Sequence, residues 1–152
     1  MYQRILAPVD GSSASARGLS EAIAVATLTG GRVCLLHVSS EPFEAVGIDG
    51  VMCGAAEIDR LVREGGEFLL AKASEQVKAQ GIMVDSRLES AFADRVCDVV
   101  AKVAREWAAD LVVIGTHGRR GIGRVLLGSD AEQILRVSPA PVLLVRGVEA
   151  AG

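Results

Sequence analysis

Aromatic side chains are nearly missing from this chain of 152 residues: one tryptophan, one tyrosine and three phenylalanines make up 3% of it. A core of stacked rings is excluded. The interior has to be built from valine, leucine, isoleucine and alanine, as in many parallel α/β sheets. Cysteine is scarce as well. Cys34, Cys53 and Cys97 are odd in number and contain no Cys-x-x-Cys pair, which argues against a disulfide framework. Only His37 and His117 could join them, so a zinc site is not supported. Cys34 and Cys97 lie in apolar periodic segments and read as core thiols. Cys53, between Met52 and Gly54, has no adjacent charge to activate it. There is no basic excess: 16 Lys and Arg stand against 19 Asp and Glu, for a net charge of −3. That balance argues against general nucleic-acid binding. Long hydrophobic runs are missing too; the apolar runs are strand-length, far short of the roughly 20 residues that span a bilayer. Met1 to Leu6 lead straight into strand-like sequence, without the plan of a secretory signal. The expectation is a soluble cytoplasmic protein with neither nucleic acid nor membrane as partner.

What is present is a globular balance, 50% hydrophobic and 23% charged. One domain is expected over residues 1–147, with 148–152 as a frayed tail. Apolar runs and helical patterns alternate along the chain. Arg4 to Asp10 reads as a short buried strand whose pairing ends near Pro8, because proline has no N–H to donate. Gly11, Ser12 and Ser13 form a turn with candidate N-caps. A helix over 13–30 follows, with Leu19, Ala22, Ile23 and Ala26 on one face, stopped by Gly30 and Gly31. Arg32 to Val38 is a second strand, nearly all apolar. Residues 40–54 have no steady period and read as a long mobile loop. A helix ending at Gly81 follows, with Ile58, Leu61, Val62, Gly65, Leu69 and Val77 at helical spacing. Gly65 and Gly66 inside it mark close packing or a weak point.

Met83 to Glu89 alternates in character, as an edge strand does. Val96, Val99, Val100, Val103 and Trp107 form a helical stripe with Trp107 as a core anchor. Leu111 to Gly115 is a fourth strand. A last helix ends at Ser138 to Pro141, and Pro141 to Val145 is a fifth strand. This alternation predicts a five-stranded, parallel, doubly wound sheet in the order 3-2-1-4-5, with helices on both faces. Strands 1 and 4 would then meet where the winding reverses, which is where such sheets bind ligands.

The loops leaving those two strands carry Asp10 to Ser13 and the glycine-rich stretch from Gly115 to Ser129. Glycines let backbone N–H groups approach an anion, and a helix N-terminus adds unpaired donors. Arg119, Arg120 and Arg124 fall within six residues of an otherwise acidic chain, which suits a phosphate. Two familiar phosphate signatures do not fit. A P-loop requires Lys and Ser or Thr after its second glycine, but Gly123 is followed by Arg124 and Val125. The dinucleotide fingerprint fails because Gly121 and Gly123 follow the fourth strand and Leu126 stands where the third glycine belongs. No Gly-x-Ser-x-Gly nucleophile elbow exists.

The spacing present is Gly-x2-Gly-x9-Gly-Ser, at Gly115, Gly118, Gly128 and Ser129. Together with the segments beginning at Ile5, Leu36, Ala109 and Ala140, it resembles the nucleotide-binding branch of the universal stress protein family. The resemblance covers nearly the whole chain. It implies a Rossmann-like fold of the adenine nucleotide alpha hydrolase type, with ATP or another adenine nucleotide, accompanied by Mg²⁺, between the first and fourth strand loops. By that resemblance Pro8 and Val9 line the nucleoside seat and Asp10 contacts it. Val38 meets adenine through its backbone, and Gly115 lies against the ribose and first phosphate. Gly118, Arg119, Gly128, Ser129 and Asp130 surround the phosphates, and Thr116, His117 and Arg120 join them in the nucleotide site. The family pattern often has a small apolar residue at position 130; here Asp130 suits a helix dipole but repels phosphate unless Mg²⁺ bridges the two.

Plainer readings stand beside these. Asp10 also suits a side-chain-bonded turn. Ser129 with Glu132 is a Ser-x-x-Glu capping box, so its hydroxyl serves either the helix or a phosphate. His117 reads as a loop-stabilising residue, and His37 as a satisfied core histidine. The apolar fifth strand, Val142, Leu143, Leu144 and Val145, would be exposed in a monomer. The family's usual dimer pairs this strand across a two-fold, so a homodimer is expected. The functional expectation is an ATP-binding regulatory sensor of the stress response. The alternatives are a slow ATPase or phosphotransferase, for which no strong base is identifiable, and a nucleotide-free interaction module.

Overall fold

In a computed structural model, the described residues are 1–40, 54–91, 93–116 and 127–146. The elements run β1 (Arg4–Pro8), α1 (Ser13–Thr29), β2 (Arg32–Ser39), α2 (Ala55–Ala79), β3 (Val84–Ser90), α3 (Val96–Glu106), β4 (Leu111–Thr116), α4 (Ser129–Val137) and β5 (Val142–Arg146). All strand pairings are parallel, in the order β3-β2-β1-β4-β5. The expected order, fold class and edge position of β3 are therefore observed. The loop expected over 40–54 and the tail lie almost wholly outside the described residues.

Strand alternation divides the core between the two faces. Ile5, Ala7, Val33, Leu35, Leu111 and Val113 meet α1 and α2 through Leu19, Ala22, Leu70 and Val77. Leu6, Cys34, Leu36, Val112 and Ile114 meet α3 and α4 through Val100, Val103, Trp107 and Ile134. Parallel strands covered on both faces need apolar residues at consecutive positions, and β2 and β4 have them. Cys34 and Cys97 are buried free thiols. Desolvation pushes Cys34 up to about 11, so it stays a thiol at neutral pH and is a poor nucleophile.

Each helix end follows from its sequence. The Ser12 side chain caps α1 by accepting from the Ser15 N–H at 3.1 Å. Gly30 closes that helix in the left-handed region at φ 68°. On α2 the expected stripe is displaced. Its buried seam is Gly66, Leu70, Ala73 and Val77; Leu61 is exposed, and so is Gly65. Small residues carry half of this seam, and a reading based on bulky apolar spacing passes them over.

The lower end of the sheet, at the strand N-termini, is clamped by polar groups. The Asp110 carboxylate accepts the backbone N–H of Gln3 at 2.8 Å and of Arg4 at 3.0 Å. The Arg4 guanidinium lies 4.4 Å from the centroid of the Trp107 ring and donates to the Trp107 carbonyl. Trp107 is buried as expected, and its indole N–H donates to Asp85 at 3.0 Å. Asp85 also holds Arg32 at 2.8 Å.

The adjacent glycines of α2 should respond in opposite directions to the same substitution. A Cβ at Gly66 would stand 2.7 Å from Leu88 Cδ1 and 2.9 Å from His37 Cδ2, whereas one at Gly65 meets nothing within 4 Å. Gly66→Ala is expected to destabilise the fold by about 1–3 kcal/mol. Gly65→Ala is expected to stabilise it by up to about 1 kcal/mol through helix propensity alone. Urea denaturation midpoints of the two variants check both signs.

Candidate functional site

The central strand β1 stops pairing early on each side. Against β4 its register is Ile5↔Leu111 and Leu6↔Val112; Pro8 has no N–H with which to continue. Against β2 it pairs as far as Pro8↔Leu36, and Val9 then donates to the Leu36 carbonyl at 2.8 Å. Beyond that point lies a cavity of about 370 Å³ at the carboxyl ends of β1, β2 and β4. It occupies the place where the winding reverses, the ligand site of such sheets.

Every expected site residue that is described lines this cavity: Pro8, Val9, Asp10, Val38, Gly115, Thr116, Gly128, Ser129 and Asp130. His117, Gly118, Arg119 and Arg120 lie outside the described residues. The lining also contains Ser12, Ser15, Leu36, Ser40, Val96, Val100, Ile114, Ala131 and Ile134, which the sequence reading did not assign to it. The signal for most of these was available. Residues one or two positions from a strand's carboxyl end, or in the first turns of α3 and α4, share the site's rim by topology.

The cavity has an apolar wall and a polar one. Leu36, Val96, Val100, Ile114 and Ile134 form a slot for a flat apolar group. Val38 stands beside it with its backbone turned towards the side that β1 has left. Odd-numbered residues of β2 face β3, as the Ala91 N–H bond to the Ser39 carbonyl shows, and even-numbered ones face β1, as Leu36 does. The N–H and C=O of Val38 thus point past the end of β1.

Two helix N-termini converge on the polar wall, and they differ. The start of α1 has a side-chain cap: Ser12 accepts the Ser15 N–H at 3.1 Å, and Asp10 Oδ1 accepts the Ser12 N–H at 2.8 Å. Asp10 therefore does form the side-chain turn weighed for it. The start of α4 has Gly128 as N-cap and no side-chain cap. Its first helical bond runs from the Glu132 N–H to the Gly128 carbonyl at 3.0 Å, so the amides of Ser129, Asp130 and Ala131 precede the ladder. The Ser129 and Glu132 capping box is not formed. Glu132 turns instead to Arg136 at 2.7 Å. The expected arrangement fails because Gly128, not Ser129, is the N-cap, which moves Ser129 into the first turn. Among the described residues the charged lining groups are Asp10 and Asp130.

Gly115 lines the cavity, yet its need to be glycine has another source. A Cβ there would overlap the Ala14 carbonyl at the start of α1, and one at Gly18 would stand 2.8 Å from the Gly115 nitrogen. The two glycines let α1 lie directly on the β4 backbone. His37 is half-buried rather than fully in the core, and its Nδ1 is 2.8 Å from the Val9 carbonyl oxygen. No group of three or more His, Cys, Asp or Glu that could hold a metal occurs among the described residues. No helix among them is long and apolar enough to cross a membrane.

A family model described as the universal stress protein family matches residues 1–146. The chain belongs to the universal stress protein family. Among its relatives, universal stress protein MJ0577 of Methanocaldococcus jannaschii is 30% identical over 156 residues, covering 96% of both chains. The solved structure of MJ0577 superposes with a TM-score of 0.79 at 25% identity, covering 99% of both chains. Two further solved structures share the fold. A universal stress protein in complex with cAMP has a TM-score of 0.69 at 24% identity, covering 95% of this chain and 97% of its own. A family protein from Arabidopsis thaliana with AMP bound has a TM-score of 0.67 at 15% identity, covering 97% and 93%.

Because α1 rests on bare backbone at position 115, Gly115→Ala is expected to cost about 3 kcal/mol. It should do so with no ligand present, since the clash lies within the protein. A urea midpoint unchanged from the parent protein would contradict this packing.

Proposed function

We propose that the cavity binds ATP or another adenine nucleotide, and that the protein acts as a dimeric nucleotide-dependent regulator in the stress response. One observation carries the reading. A slot bounded by apolar side chains and the outward backbone of Val38 faces, across a single cavity, the uncapped start of α4. An adenine ring suits the slot, because its edge offers an acceptor and a donor to one residue's N–H and C=O. Phosphate oxygens suit the amides of Ser129, Asp130 and Ala131 together with the helix dipole. Asp10 is then placed for the ribose hydroxyls. Gly118, Arg119 and Arg120 complete the phosphate site in this reading. The AMP and cAMP held by two proteins of the same fold support the adenine assignment.

Mg²⁺ fits such a site only as a companion of the nucleotide. Asp130 is one carboxylate, and no ready-made cluster accompanies it among the described residues. Mg²⁺ is commonly held by one or two carboxylates with substrate phosphates. Bound in that way, it would supply charge neutralisation between Asp130 and the phosphates.

The dimer rests on the contrast between the two edges of the sheet. The β3 edge carries Asp85, Arg87 and Glu89, charges that discourage pairing. The β5 edge carries Val142, Leu143, Leu144 and Val145, with Leu143 exposed and the others half-buried. Leu135 of α4 is exposed as well. We assign this edge to a two-fold interface between copies of the chain.

Two measurements test these readings separately. ATP should raise the melting temperature and release heat on titration, since a ligand of the native state must stabilise it. Asp10→Asn, which keeps an acceptor for the Ser12 N–H, should weaken binding about tenfold. Absence of both heat and melting shift in the parent protein would remove the nucleotide. Light scattering should give twice the chain mass for the parent protein and the monomer mass for Leu143→Arg; a monomeric parent protein would remove the dimer.

A further inference from the structure

The base seat requires a free backbone at Val38, and a regular ladder would not leave it free. In a parallel pair, one residue bonds to the partner strand both before and after its opposite number. The observed register ends at Pro8↔Leu36, and one step further would set Val9 opposite His37. Val9 makes the first of its two bonds, from its N–H to the Leu36 carbonyl at 2.8 Å. The second would run from the Val38 N–H to the Val9 carbonyl, and among the described residues it is not formed. The group at that carbonyl is the imidazole of His37, with Nδ1 2.8 Å from the oxygen. A carbonyl only accepts, so Nδ1 carries the proton and donates.

We propose that His37 is a positioning residue for the nucleotide base: its ring holds the Val9 carbonyl, ends the β1–β2 ladder one bond early, and leaves the Val38 N–H to a purine edge. The proposal rests on the reading that an adenine nucleotide occupies the cavity. A second observation bears on it independently. The helix over the ring has a glycine at the point of contact, and a Cβ at Gly66 would stand 2.9 Å from His37 Cδ2. The ring is thus seated between α2 and the end of β1, against the bare backbone of Gly66. β2 opens with Arg32, which pairs with Asp85, and its covered middle is apolar from Val33 to Leu36; His37 is the polar side chain that follows this run. Packing alone gives no reason for an imidazole there.

The consequence is selectivity among bases. Adenine presents a bare ring nitrogen to the Val38 N–H and an amino group to the Val38 carbonyl. Hypoxanthine presents an N–H and a carbonyl in the same places, so donor meets donor and acceptor meets acceptor. Sites that hydrogen-bond one such edge discriminate strongly against the reversed one, because their own groups are left unpaired.

The test compares the parent protein with His37→Leu, which keeps bulk and removes the donor. Two readouts are taken: amide hydrogen exchange at Val38 without nucleotide, and affinities for ATP and ITP by calorimetry. In the parent protein the Val38 amide should exchange rapidly while that of Leu36 is protected, and ATP should bind at least about tenfold more tightly than ITP. In His37→Leu the Val38 amide should gain at least about tenfold protection, and the preference for ATP should fall towards unity through weaker ATP binding. Unchanged exchange at Val38 in the variant overturns the proposal whatever the affinities. Should the variant not fold, a protected Val38 amide in the parent protein overturns it equally. A parent protein that binds neither nucleotide removes the positioning role along with the proposed function. In that case altered exchange in the variant would show only that His37 ends the ladder.

Discussion

A strand in the middle of a parallel sheet must give up its ladder bonds on both sides before anything can reach its end. In this chain β1 does so within two residues. On the β4 side Pro8 has no N–H to donate, and the register stops at Leu6↔Val112. On the β2 side the bonding stops at Val9, whose carbonyl faces the His37 ring. β2 and β4 stay paired to their outer neighbours, and the cavity lies at the carboxyl ends of β1, β2 and β4 where the bonds to β1 have stopped. The apolar slot, the exposed backbone of Val38 and the approach of α4 all presuppose this early release. A β1 paired for two residues more would fill the same space with sheet.

The opposite end of the sheet is built on the contrary principle, with polar groups paired across distant sequence. Asp110 accepts two backbone amides from the start of β1. Arg4, Trp107, Asp85 and Arg32 form a chain of contacts that links the starts of β1, β2 and β3 to the end of α3. Hydrogen bonds to charged groups contribute about 1.5–3 kcal/mol each when partly shielded, and a stacked guanidinium adds about 0.5–1 kcal/mol. The ion pairs along the helices, such as Arg60 with Glu57 and Arg136 with Glu132, are far more exposed and contribute little. Polar stabilisation is therefore concentrated away from the cavity. The clamped end holds the strands in register, while at the site end the first amides of α4 precede its hydrogen-bond ladder.

Much of this was legible in the sequence because it depends on local pattern. The alternation of apolar runs with helical stripes yields the strand order, and the order places the loops after β1 and β4 together. Pro8, Val9, Asp10, Val38, Gly115, Thr116, Gly128, Ser129 and Asp130 consequently fall on one cavity. What the sequence hid involves small residues and distant partners. The seam of α2 passes through Gly66 and Ala73, which carry little hydropathy, so Leu61 was read as buried when it is exposed. Gly115 looked like a site for ligand approach, but its constraint is the Ala14 carbonyl of another element. The pairing of Trp107 with Asp85 joins α3 to the far edge strand, and no periodicity announces it. For Ser129, shifting the helix start by one residue was enough to undo a capping box.

The outer edge and the cavity are closer than a diagram of the sheet conveys. Gly115 and Thr116, both in the cavity wall, lie opposite Val145 and Arg146 of β5. The Thr116 hydroxyl donates to the Val145 carbonyl at 3.3 Å, and Arg17 of α1 reaches the Arg146 carbonyl. One strand's width thus separates whatever sits in the pocket from whatever lies along the rim. Any strain passed across it must run both ways with equal energy: a molecule that tightens the rim is itself held more firmly once the rim is engaged, and one that loosens it is expelled by assembly.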